Sequence, residues 1–447
     1  MKGLNEQKKL LGEGKVEGKT IRLFQGIAKI LSPPPELTVS EWADSFRRLS
    51  QEASAEPGQW NTNRAPYQRE IMDAVNDAGV EEIIIMSSAQ VGKTELILNI
   101  IGYYIDYDPS PILCLQPTLE MAQTFSKDRL APMFRDTPVL RGKVKSVRTR
   151  DSGNTILHKV FPGGHITMAG ANSAAGLASR PIKVVLMDEI DRYPASAGTE
   201  GNPIKLAEKR TTTFWNRKKI KVSTPTIKGR SQIEKEYLSS SKEEWCVPCP
   251  CCGKDQPYEW GRIRFSDVTM ECKFCGEYFG EMEWKENPGK WIASVPGVKR
   301  KRGFHLNELA SPWKHWEEII LEFKEAQKEL KEHGDVEKMK VWVNTALGET
   351  WEEKGEAADE DALLKRRERY TADLPDGVLL VTSGVDVQDD RFEIEVTGWG
   401  KGYESWGILY RKIYGDLEKE ETWEKLERFL EMELYFQDKN SLLIACS

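Results

Sequence analysis

A glycine–lysine–threonine triplet is the first feature that could carry chemistry in this chain of 447 residues. It follows an apolar run and opens a stretch with helical periodicity, a context in which backbone N–H groups and a helix N-terminus can hold phosphates. Lys93 would neutralise the β- and γ-phosphates, and Thr94 would place its hydroxyl on Mg²⁺. Ser87 stands where the usual motif has its first glycine, so this segment alone also fits a chance match. The candidate nucleotide-binding residues of the segment are Ser87, Ser88, Ala89, Gln90, Val91, Gly92, Lys93 and Thr94.

Two adjacent carboxylates follow 95 residues after Lys93, at the end of the apolar run Val184–Met187. Asp188 is suited to hold Mg²⁺ through water, and Glu189 is suited to orient and deprotonate the attacking water. Acidic residues at the solvent end of a strand are common, but the two motifs in this order predict a nucleotide hydrolase. The adjacent acid pair favours ATP hydrolysis over transfer of the phosphoryl group to another substrate.

Two further pairs of polar residues fit a nucleotide site. Ser223 and Thr224 end the next predicted strand, where they would sense the γ-phosphate and act as coupling residues; a plain turn at the strand end is the alternative. Tyr67 and Gln68 precede the triplet and would stack on and hydrogen-bond adenine, unless they are ordinary helix residues.

Six of the eight cysteines lie between Cys246 and Cys275, which in a reducing compartment indicates metal binding rather than disulfides. They include two C-x-x-C pairs separated by 19 residues, each followed by a glycine that lets backbone N–H groups turn toward thiolates. Cys246-x-x-Cys249 stays open as a rival pair. A closed four-thiolate site has no open position for substrate, so we expect a structural or interaction role. The predicted Zn²⁺ ligands are Cys249, Cys252, Cys272 and Cys275.

Asp386 ends another predicted strand, and a polar turn and the strand Phe392–Trp399 follow it. An RNase H-like nuclease begins in this way, with the first acid bridging two metal ions for phosphodiester hydrolysis. A strand-end aspartate taken alone is usually structural. A two-metal site needs further carboxylates from later strands, which we expect after Ser447, so that the nuclease would be incomplete and cleavage-deficient in this chain.

Short apolar strands alternate with helical stretches from residue 82 to residue 223, which predicts a parallel sheet covered by helices. The expected fold is an α/β P-loop ATPase of the ASCE type (additional strand, catalytic glutamate) with a zinc-ribbon insertion, followed by the start of an RNase H-like nuclease domain. The expected domains are an N-terminal arm and helix (1–60), the P-loop ATPase (61–245), the zinc ribbon (246–280), the remaining ATPase strands with a helical subdomain and linker (281–372), and the incomplete nuclease domain (373–447).

The composition is that of an ordinary globular chain, with 39% hydrophobic and 30% charged residues. No apolar run is long enough to cross a membrane and no signal peptide is recognisable, so we expect no membrane association and a cytoplasmic location. The net charge of -7 does not indicate nucleic-acid binding. Local basic runs could still contact DNA phosphates, although each run alone fits a solvated face. These runs are Arg141–Arg150, Arg217–Lys221, Lys299–Arg302 and Lys365–Arg369.

In their order along the chain, these motifs resemble the GpA-type large terminase subunits of tailed phages. The similarity runs from about residue 33 to the end, and the motif order is more specific than any single motif. The resemblance implies an ATPase that uses ATP and Mg²⁺ to move viral double-stranded DNA into the procapsid. It also implies a metal-dependent nuclease that cuts concatemeric DNA, with Asp386 as its first acid. The matching segments are 37–43, 65–68, 90–94, 188–191, 223–226, the cysteine pairs, 304–307 and 384–386.

The resemblance further implies partners. A small terminase subunit would bind the N-terminal arm, and the chain would dock on the portal protein and assemble into a ring. The location would be the host cytoplasm and, transiently, the portal vertex of the procapsid. Ring motors usually need an arginine that reaches the γ-phosphate of a neighbouring subunit. Arg180 and Arg148 are the candidates, although DNA contacts or structural roles fit both equally.

Two other functions remain open at this point. A zinc-containing P-loop helicase or translocase outside phage packaging would need a second motor-like domain, and residues 281–447 show no such repeat. A DNA-binding or assembly module with a decayed P-loop is supported only by Ser87 in place of the first glycine.

Overall fold

The computed structural model describes residues 36–52, 54–144, 154–173, 176, 180–353, 367, 371–388, 390–417 and 419–445. Arg148, the first 35 residues of the expected arm and all of the run 365–369 except Arg367 lie outside the described residues. The chain forms two compact units, Met1–Glu353 and Lys354–Ser447. Among the described residues, no helix combines the length and the apolar character needed to cross a membrane.

The first unit is built around one large mixed sheet with helices packed on it. Its strands are β1 (Arg48–Leu49), β2 (Gly58–Gln59), β3 (Glu82–Ser87), β4 (Ile112–Gln116), β5 (His158–Phe161), β6 (Gly164–Gly170), β7 (Val184–Asp188), β8 (Lys218–Ser223), β9 (Glu243–Pro248), β10 (Asp255–Pro257), β11 (Ile263–Arg264), β12 (Thr269–Glu271), β13 (Tyr278–Gly280), β14 (Lys290–Ala293) and β15 (Lys301–Leu306). Its helices are α1 (Val39–Phe46), α2 (Gln68–Asp73), α3 (Lys93–Asp106), α4 (Leu119–Phe125), α5 (Ala131–Asp136), α6 (Pro203–Lys209), α7 (Gln232–Leu238), α8 (Glu281–Glu286), α9 (Trp316–His333) and α10 (Glu337–Trp342).

The order of the strands places the predicted site residues at one edge of the main sheet. The sheet runs β10-β9-β15-β3-β8-β7-β4-β6-β5, and neighbours from β9 to β6 are parallel, whereas β10, β14 and β5 pair antiparallel at the margins. Because parallel strands end on the same side, Ser87, Gln116, Asp188 and Ser223 meet at the carboxyl edge. β8 lies between β3 and β7.

The strands are apolar because both faces of the sheet are covered. β4 and β7 are buried along their whole lengths. Helix α1 packs on α3, where Trp42 is fully buried and a Cβ at Gly102 would lie 2.2 Å from its ring. The indole of Trp42 donates to Asp106 at 2.8 Å, which ties the start of the described chain to the end of α3.

A buried ion cluster holds helices α6 and α7 against β8. Lys221 is fully buried, and its Nζ lies 3.1, 2.6 and 2.9 Å from carboxylate oxygens of Glu82, Glu208 and Glu236. Burial opposes the charged form, but the three glutamates raise the pKa of Lys221 above its ordinary value. The cluster therefore stays ionised and links β3, β8, α6 and α7.

The cysteine segment is continuous with the main sheet. The expected ribbon began at residue 246, but Cys246 lies inside β9, which pairs parallel with β15 and antiparallel with β10 and β14. Of the described strands in this segment, β11, β12 and β13 form a small antiparallel sheet of their own. The four predicted ligands lie at the turns between β9 and β10 and between β12 and β13.

The second unit consists of β16 (Leu380–Val387), β17 (Arg391–Trp399), β18 (Ser405–Tyr414), α11 (Glu420–Leu430), β19 (Glu433–Tyr435) and β20 (Ser441–Ala445). Its strands form one five-stranded sheet in the order β18-β17-β16-β20-β19. Three consecutive antiparallel strands are followed by a helix and by β20, which returns parallel to β16. The helix packs its apolar face, including Leu426 and Phe429, on one side of the sheet.

Candidate functional site

The segment between β3 and α3 has the backbone that a phosphate cradle needs. Helix α3 begins at Lys93, and Gly92 before it has φ = 85°, which favours glycine. A Cβ at Gly92 would also lie 2.2 Å from the side-chain nitrogen of Gln68. Gln90 has φ = 57°, an uncommon conformation for a residue with a side chain and one that is concentrated at functional sites.

Lys93 lies at the centre of the site. Its Nζ donates to the carbonyl oxygens of Ser88 at 2.9 Å and Ser87 at 3.3 Å, and also to the hydroxyl of Thr224. Burial lowers the pKa of Lys93, while the charges of Glu189 and Asp188 oppose that shift. The lysine thus joins the candidate phosphate cradle to the hydroxyl segment after β8.

Two distant segments pack against the cradle. Leu306 belongs to the segment 304–307, which the sequence analysis named only for the family resemblance, and Thr345 and Gly348 belong to a segment that it did not name. The N–H of Ser88 donates to the carbonyl of Leu306 at 2.9 Å, and the N–H of Ala89 donates to that of Thr345 at 2.7 Å. Gly348, with φ = 66°, approaches so closely that a Cβ there would lie 2.5 Å from the nitrogen of Ser88. Only a tertiary contact links these positions to residue 88, so no local pattern could have identified them.

Asp188 ends β7 and faces the same site. It is nearly buried, and Gln116 at the end of β4 donates to its Oδ2 at 3.1 Å. Burial raises the pKa of Asp188 to about 6, although the hydrogen bond from Gln116 opposes the rise. Gln116 is a site residue that the sequence analysis missed; its position at the end of a neighbouring parallel strand was the available signal.

Glu189 occupies a strained turn. Its φ of 52° is unusual for a glutamate, and its buried Oε2 accepts no hydrogen bond from the described residues. Arg192 Nε lies 3.6 Å from that oxygen, beyond hydrogen-bonding distance. A carboxylate held in this way at the end of β7 is available for a water molecule at the phosphate.

Asp191 joins the Glu189 turn to the segment after β8. Its carboxylate accepts hydrogen bonds from Thr226 at 2.9 Å and from the N–H of Ile233, at the start of α7, at 2.7 Å. The N–H of Asp191 in turn donates to the hydroxyl of Ser223 at 3.3 Å. The predicted coupling residues therefore contact both sides of the site: Ser223 accepts a hydrogen bond from the N–H of Asp191, and Thr224 accepts one from Lys93.

A cavity of about 660 Å³ opens beside the cradle. Its wall includes Thr94, Gln116 and Arg129, so it reaches from the start of α3 to the segment between α4 and α5. The volume lies within the range of roughly 300–1,000 Å³ that is common for small-molecule sites.

Tyr67 and Gln68 support the cradle from beneath. The hydroxyl of Tyr67 and the amide of Gln68 donate to the carbonyl of Val91 at 3.2 and 3.0 Å. The Tyr67 ring is only 2% exposed and makes an edge contact with Trp245, so its faces are closed to a base in this conformation. Gln68 keeps a buried Oε1 without a hydrogen-bond donor among the described residues. Adenine binding by this pair stays a prediction.

Arg180 does not approach the site of its own chain. It contacts His158 at 3.0 Å on the edge strand β5. β5 lies five positions from β3, which carries the cradle, a separation of roughly 24 Å, and two positions from β4, which carries Gln116. An exposed arginine there is free to meet a neighbouring subunit, and its role as the arginine finger stays a prediction.

The four predicted thiolates gather into one cluster. Their sulfurs all lie within 4.8 Å of one another, with Cys249–Cys275 and Cys252–Cys272 at 3.8 Å. A tetrahedron with metal–sulfur bonds of about 2.3 Å has sulfurs about 3.8 Å apart, so the geometry fits Zn²⁺. The N–H groups of Cys251 and Phe274 point at thiolates at 3.4 Å, while Cys246 lies outside the cluster.

Asp386 lies on β16 opposite Glu393 of β17, on the face of the sheet that does not carry α11. It is exposed and accepts a hydrogen bond from Gln388 at 2.6 Å. Glu393 is held by Arg391 and Lys412 at 2.7 and 3.1 Å. In the described part of the chain, no group of three or more candidate ligands includes Asp386, and its metal-binding role stays a prediction.

A phosphate cradle, a buried lysine and an acid pair at the carboxyl ends of parallel strands define the class of P-loop nucleotide-binding proteins. A family model described as the ATPase domain of the phage terminase large subunit gpA matches residues 54–291, or 238 of 447 residues. A second model, described as the gpA endonuclease domain, matches residues 301–447. The chain belongs to the GpA family of phage terminase large subunits.

Individual relatives agree with the family models. The large terminase subunit of Enterobacteria phage P21 is 31% identical over 429 residues, which cover 89% of this chain and 65% of the relative. That of Escherichia phage lambda is 30% identical over 429 residues, which cover 89% and 66%. The chain thus spans just under two thirds of the length of these relatives. The solved structure of the HK97 bacteriophage large terminase is similar with a TM-score of 0.46 at 13% identity, and the match covers 88% of this chain and 71% of that one.

The two family models match the two expected parts of the chain, the ATPase and the nuclease. The nuclease match, however, does not begin at residue 373, where we expected the nuclease domain to start. The endonuclease match begins at residue 301 and therefore includes β15, which in the structure lies next to β3 in the main sheet. The first compact unit ends at Glu353.

Proposed function

We propose that this chain is the motor of a DNA-packaging terminase, in which ATP hydrolysis drives translocation of viral double-stranded DNA into the procapsid. The observation that supports this most directly is the convergence of Lys93, Asp188, Glu189 and Thr224 at one edge of the sheet. The position of β8 between β3 and β7 supports the ASCE type of P-loop ATPase.

Each residue has a role that follows from its position. The N–H groups of the cradle and Lys93 bind the β- and γ-phosphates, and Thr94 and Asp188 are the groups suited to hold Mg²⁺. That ion would neutralise charge on the phosphates. Glu189 accepts a proton from the attacking water, because its carboxylate lies close to Lys93 and its buried Oε2 accepts no hydrogen bond from the described residues, with Arg192 at 3.6 Å as its ion-pair partner. Thr224 exchanges its contact with Lys93 for one with the γ-phosphate when ATP binds.

The test of this proposal is ATP turnover by the purified chain. Lys93→Ala should remove nucleotide binding and turnover together, whereas Glu189→Ala should keep ATP binding and lower kcat by at least about 100-fold. Lys228→Ala, at an exposed lysine outside the site, is the control. Wild-type turnover in both site variants would refute the assignment.

The cysteine cluster is proposed to hold one structural Zn²⁺. Support comes from the tetrahedral spacing of the sulfurs and from the backbone N–H groups that face the thiolates. Because the first pair follows β9 of the main sheet, the ion would brace the edge of the ATPase unit.

The second unit is proposed to belong to an RNase H-like endonuclease that uses divalent metal and cuts concatemeric DNA. The support is the strand order and the parallel return of β20 next to β16, with Asp386 on the first strand. Family membership alone supports the remaining proposals. The chain would bind a small terminase subunit and the portal protein and would assemble into a ring. It would reside in the host cytoplasm and dock transiently at the procapsid portal vertex. Family membership disfavours a helicase outside phage packaging.

A further inference from the structure

The edge of the main sheet opposite the candidate ATP site carries an unusual surface. It lies at the amino ends of β3, β8 and β15, around Glu81, and we call it the Glu81 edge. Its side chains are Lys209, Thr212, Trp215, Arg217, Lys299 and Arg300. None of these residues takes part in the nucleotide site described above.

Two basic runs that are far apart in the sequence meet at this edge. Residues 209–221 contain six lysines and arginines and no carboxylate, and residues 299–302 are four consecutive basic residues. Not all of these cations reach the surface: Lys218, Lys219 and Lys221 are buried, and Lys301 and Arg302 pair with Glu236 and Glu243. The cations that the two runs present at this edge are Lys209, Arg217, Lys299 and Arg300. The backbone fixes the two runs together, since the N–H of Glu81 donates to the carbonyl of Arg300 at 2.8 Å and the N–H of Lys219 donates to that of Glu81 at 2.9 Å. Parallel pairing of β3 with β8 and β15 therefore builds one basic surface from two separate segments.

The positive charge at the Glu81 edge exceeds the negative charge. Arg217 and Arg300 share the carboxylate of Glu81, at 2.6 and 2.5 Å, and Lys219 also lies 2.8 Å from it. Burial opposes its ionisation, but these cations lower the pKa of Glu81 to about 2, so it stays charged. Within the described chain no carboxylate lies within 4.0 Å of the lysine ammonium groups at positions 209 and 299. The edge thus retains Lys209 and Lys299 as exposed cations without an ion-pair partner, and the paired Arg300 is itself 77% exposed.

Trp215 stands in the middle of the basic loop and is 87% exposed. No other large hydrophobic side chain in the described part of the first unit is so open to solvent. A tryptophan and arginines together are the residues most often found at the energetic centre of interfaces. Its indole N–H, which has no hydrogen-bond acceptor among the described residues, adds a further donor.

We propose that the Glu81 edge binds the sugar–phosphate backbone of duplex DNA. Two carboxylates lie at this edge, Glu81 and the exposed Asp77 beside Lys218. The other polar side chains offer mainly donors and positive charge: hydroxyl, indole, ammonium and guanidinium groups. Phosphate oxygens are acceptors only, so they match this set, and such contacts position DNA without reading its sequence. The inference rests on the proposed function, because it assigns a binding surface for the DNA that the motor would move.

The experiment measures affinity for a fluorescent 30-bp duplex at several salt concentrations, without nucleotide. Lys299→Gln/Arg300→Gln should reduce the slope of log K against log salt by about 1.8, which corresponds to about 0.9 for each lost phosphate contact. Affinity should fall on the order of tenfold or more at ~0.1 M salt. Trp215→Ala should weaken binding without changing the slope. The fold should survive, since Glu81 keeps Arg217 and Lys219 as partners.

Lys324→Gln/Lys331→Gln is the matched control, because it removes two exposed charges from α9 of the same unit. The proposal would be overturned if Lys299→Gln/Arg300→Gln kept the wild-type slope of log K against log salt. It would also be overturned if the control variant lost as much DNA affinity as the double variant. Unchanged DNA affinity together with altered self-association in sedimentation would also overturn it and assign the edge to a protein partner. ATP turnover of the same preparations is measured separately and should be unchanged, so a failed motor assignment is distinguishable from a failed surface assignment.

Discussion

At the scale of single residues, Asp191 has a position that neither phosphate binding nor metal binding explains. It accepts hydrogen bonds from Thr226 and from the start of α7, while its own N–H meets Ser223. Two residues before it, Glu189 is held in a left-handed conformation. Such a conformation persists only when its surroundings fix it, and Asp191 supplies that restraint. We infer that Asp191 is a positioning residue for Glu189.

Removal of this restraint should lower the rate and spare binding. Asp191→Ala should reduce kcat on the order of 10- to 100-fold, because the Glu189 carboxylate, the proposed base, loses its orientation, while the KM for ATP changes little. Asp191→Asn keeps an oxygen for the N–H of Ile233 and should recover most of the activity. Steady-state kinetics of the three proteins measure the split between kcat and KM.

Ser231→Ala is the matched control for this prediction. Ser231 caps the same helix α7 by accepting from the N–H of Glu234 at 3.2 Å, so its loss costs about 1 kcal/mol without touching Asp191. If Ser231→Ala lowers kcat as much as Asp191→Ala at an equal loss of stability, Asp191 acts only through the helix and the inference is wrong.

At the scale of elements, Lys221 determines how α6 and α7 are held on β8. Lys221→Met would leave Glu82, Glu208 and Glu236 together in a buried place without their central cation. The free energy of unfolding should fall by about 3–5 kcal/mol, as is common when one partner of a buried ion pair is lost. Urea denaturation monitored by circular dichroism measures this change.

Lys205→Met provides the comparison, because Lys205 contacts two of the same glutamates, Glu208 at 3.0 Å and Glu236 at 4.0 Å. It is 65% exposed, so its removal should cost only about 0–1 kcal/mol. Equal effects of the two substitutions would show that burial does not set the strength of this cluster.

The cysteine turns are the other element whose role can be measured. Metal analysis of the folded chain should give about one Zn per chain, and Cys252→Ser should abolish it. Cys251→Ser is the control, since Cys251 is exposed in the same turn but lies outside the sulfur cluster. Full zinc content in Cys252→Ser, or its loss in Cys251→Ser, would contradict the ligand assignment.

At the scale of the whole molecule, every residue assigned to ATP hydrolysis lies in the first compact unit, and Asp386 lies in the second. A chain that ends at Glu353 should therefore keep the basal ATP turnover of the full chain within about twofold. Asp386→Asn should likewise leave turnover unchanged. Loss of turnover on truncation, with circular dichroism unchanged, would mean that the second unit contributes to the ATP site.

The short segments that meet at the site were predictable from the sequence, whereas the roles of their residues stay predictions. Lys93, Thr94 and the acid pair were recognised because each motif needs only a few consecutive residues after an apolar strand. The cysteine quartet was recognised in the same way, since a metal-binding turn is defined by the spacing of two cysteines and a glycine. The alternation of strands and helices also predicted the parallel sheet that places these motifs at one edge.

Only the tertiary structure determined which distant residues meet those motifs. The backing of the cradle by Leu306, Thr345 and Gly348 depends on β15 lying beside β3, and the contact of Gln116 with Asp188 depends on β4 lying beside β7. The two basic runs at Glu81 are likewise joined by strand order. Strand order reflects the packing of the whole sheet, in which any apolar strand could pair with several others, so the local pattern that identifies a motif carries no information about its neighbours.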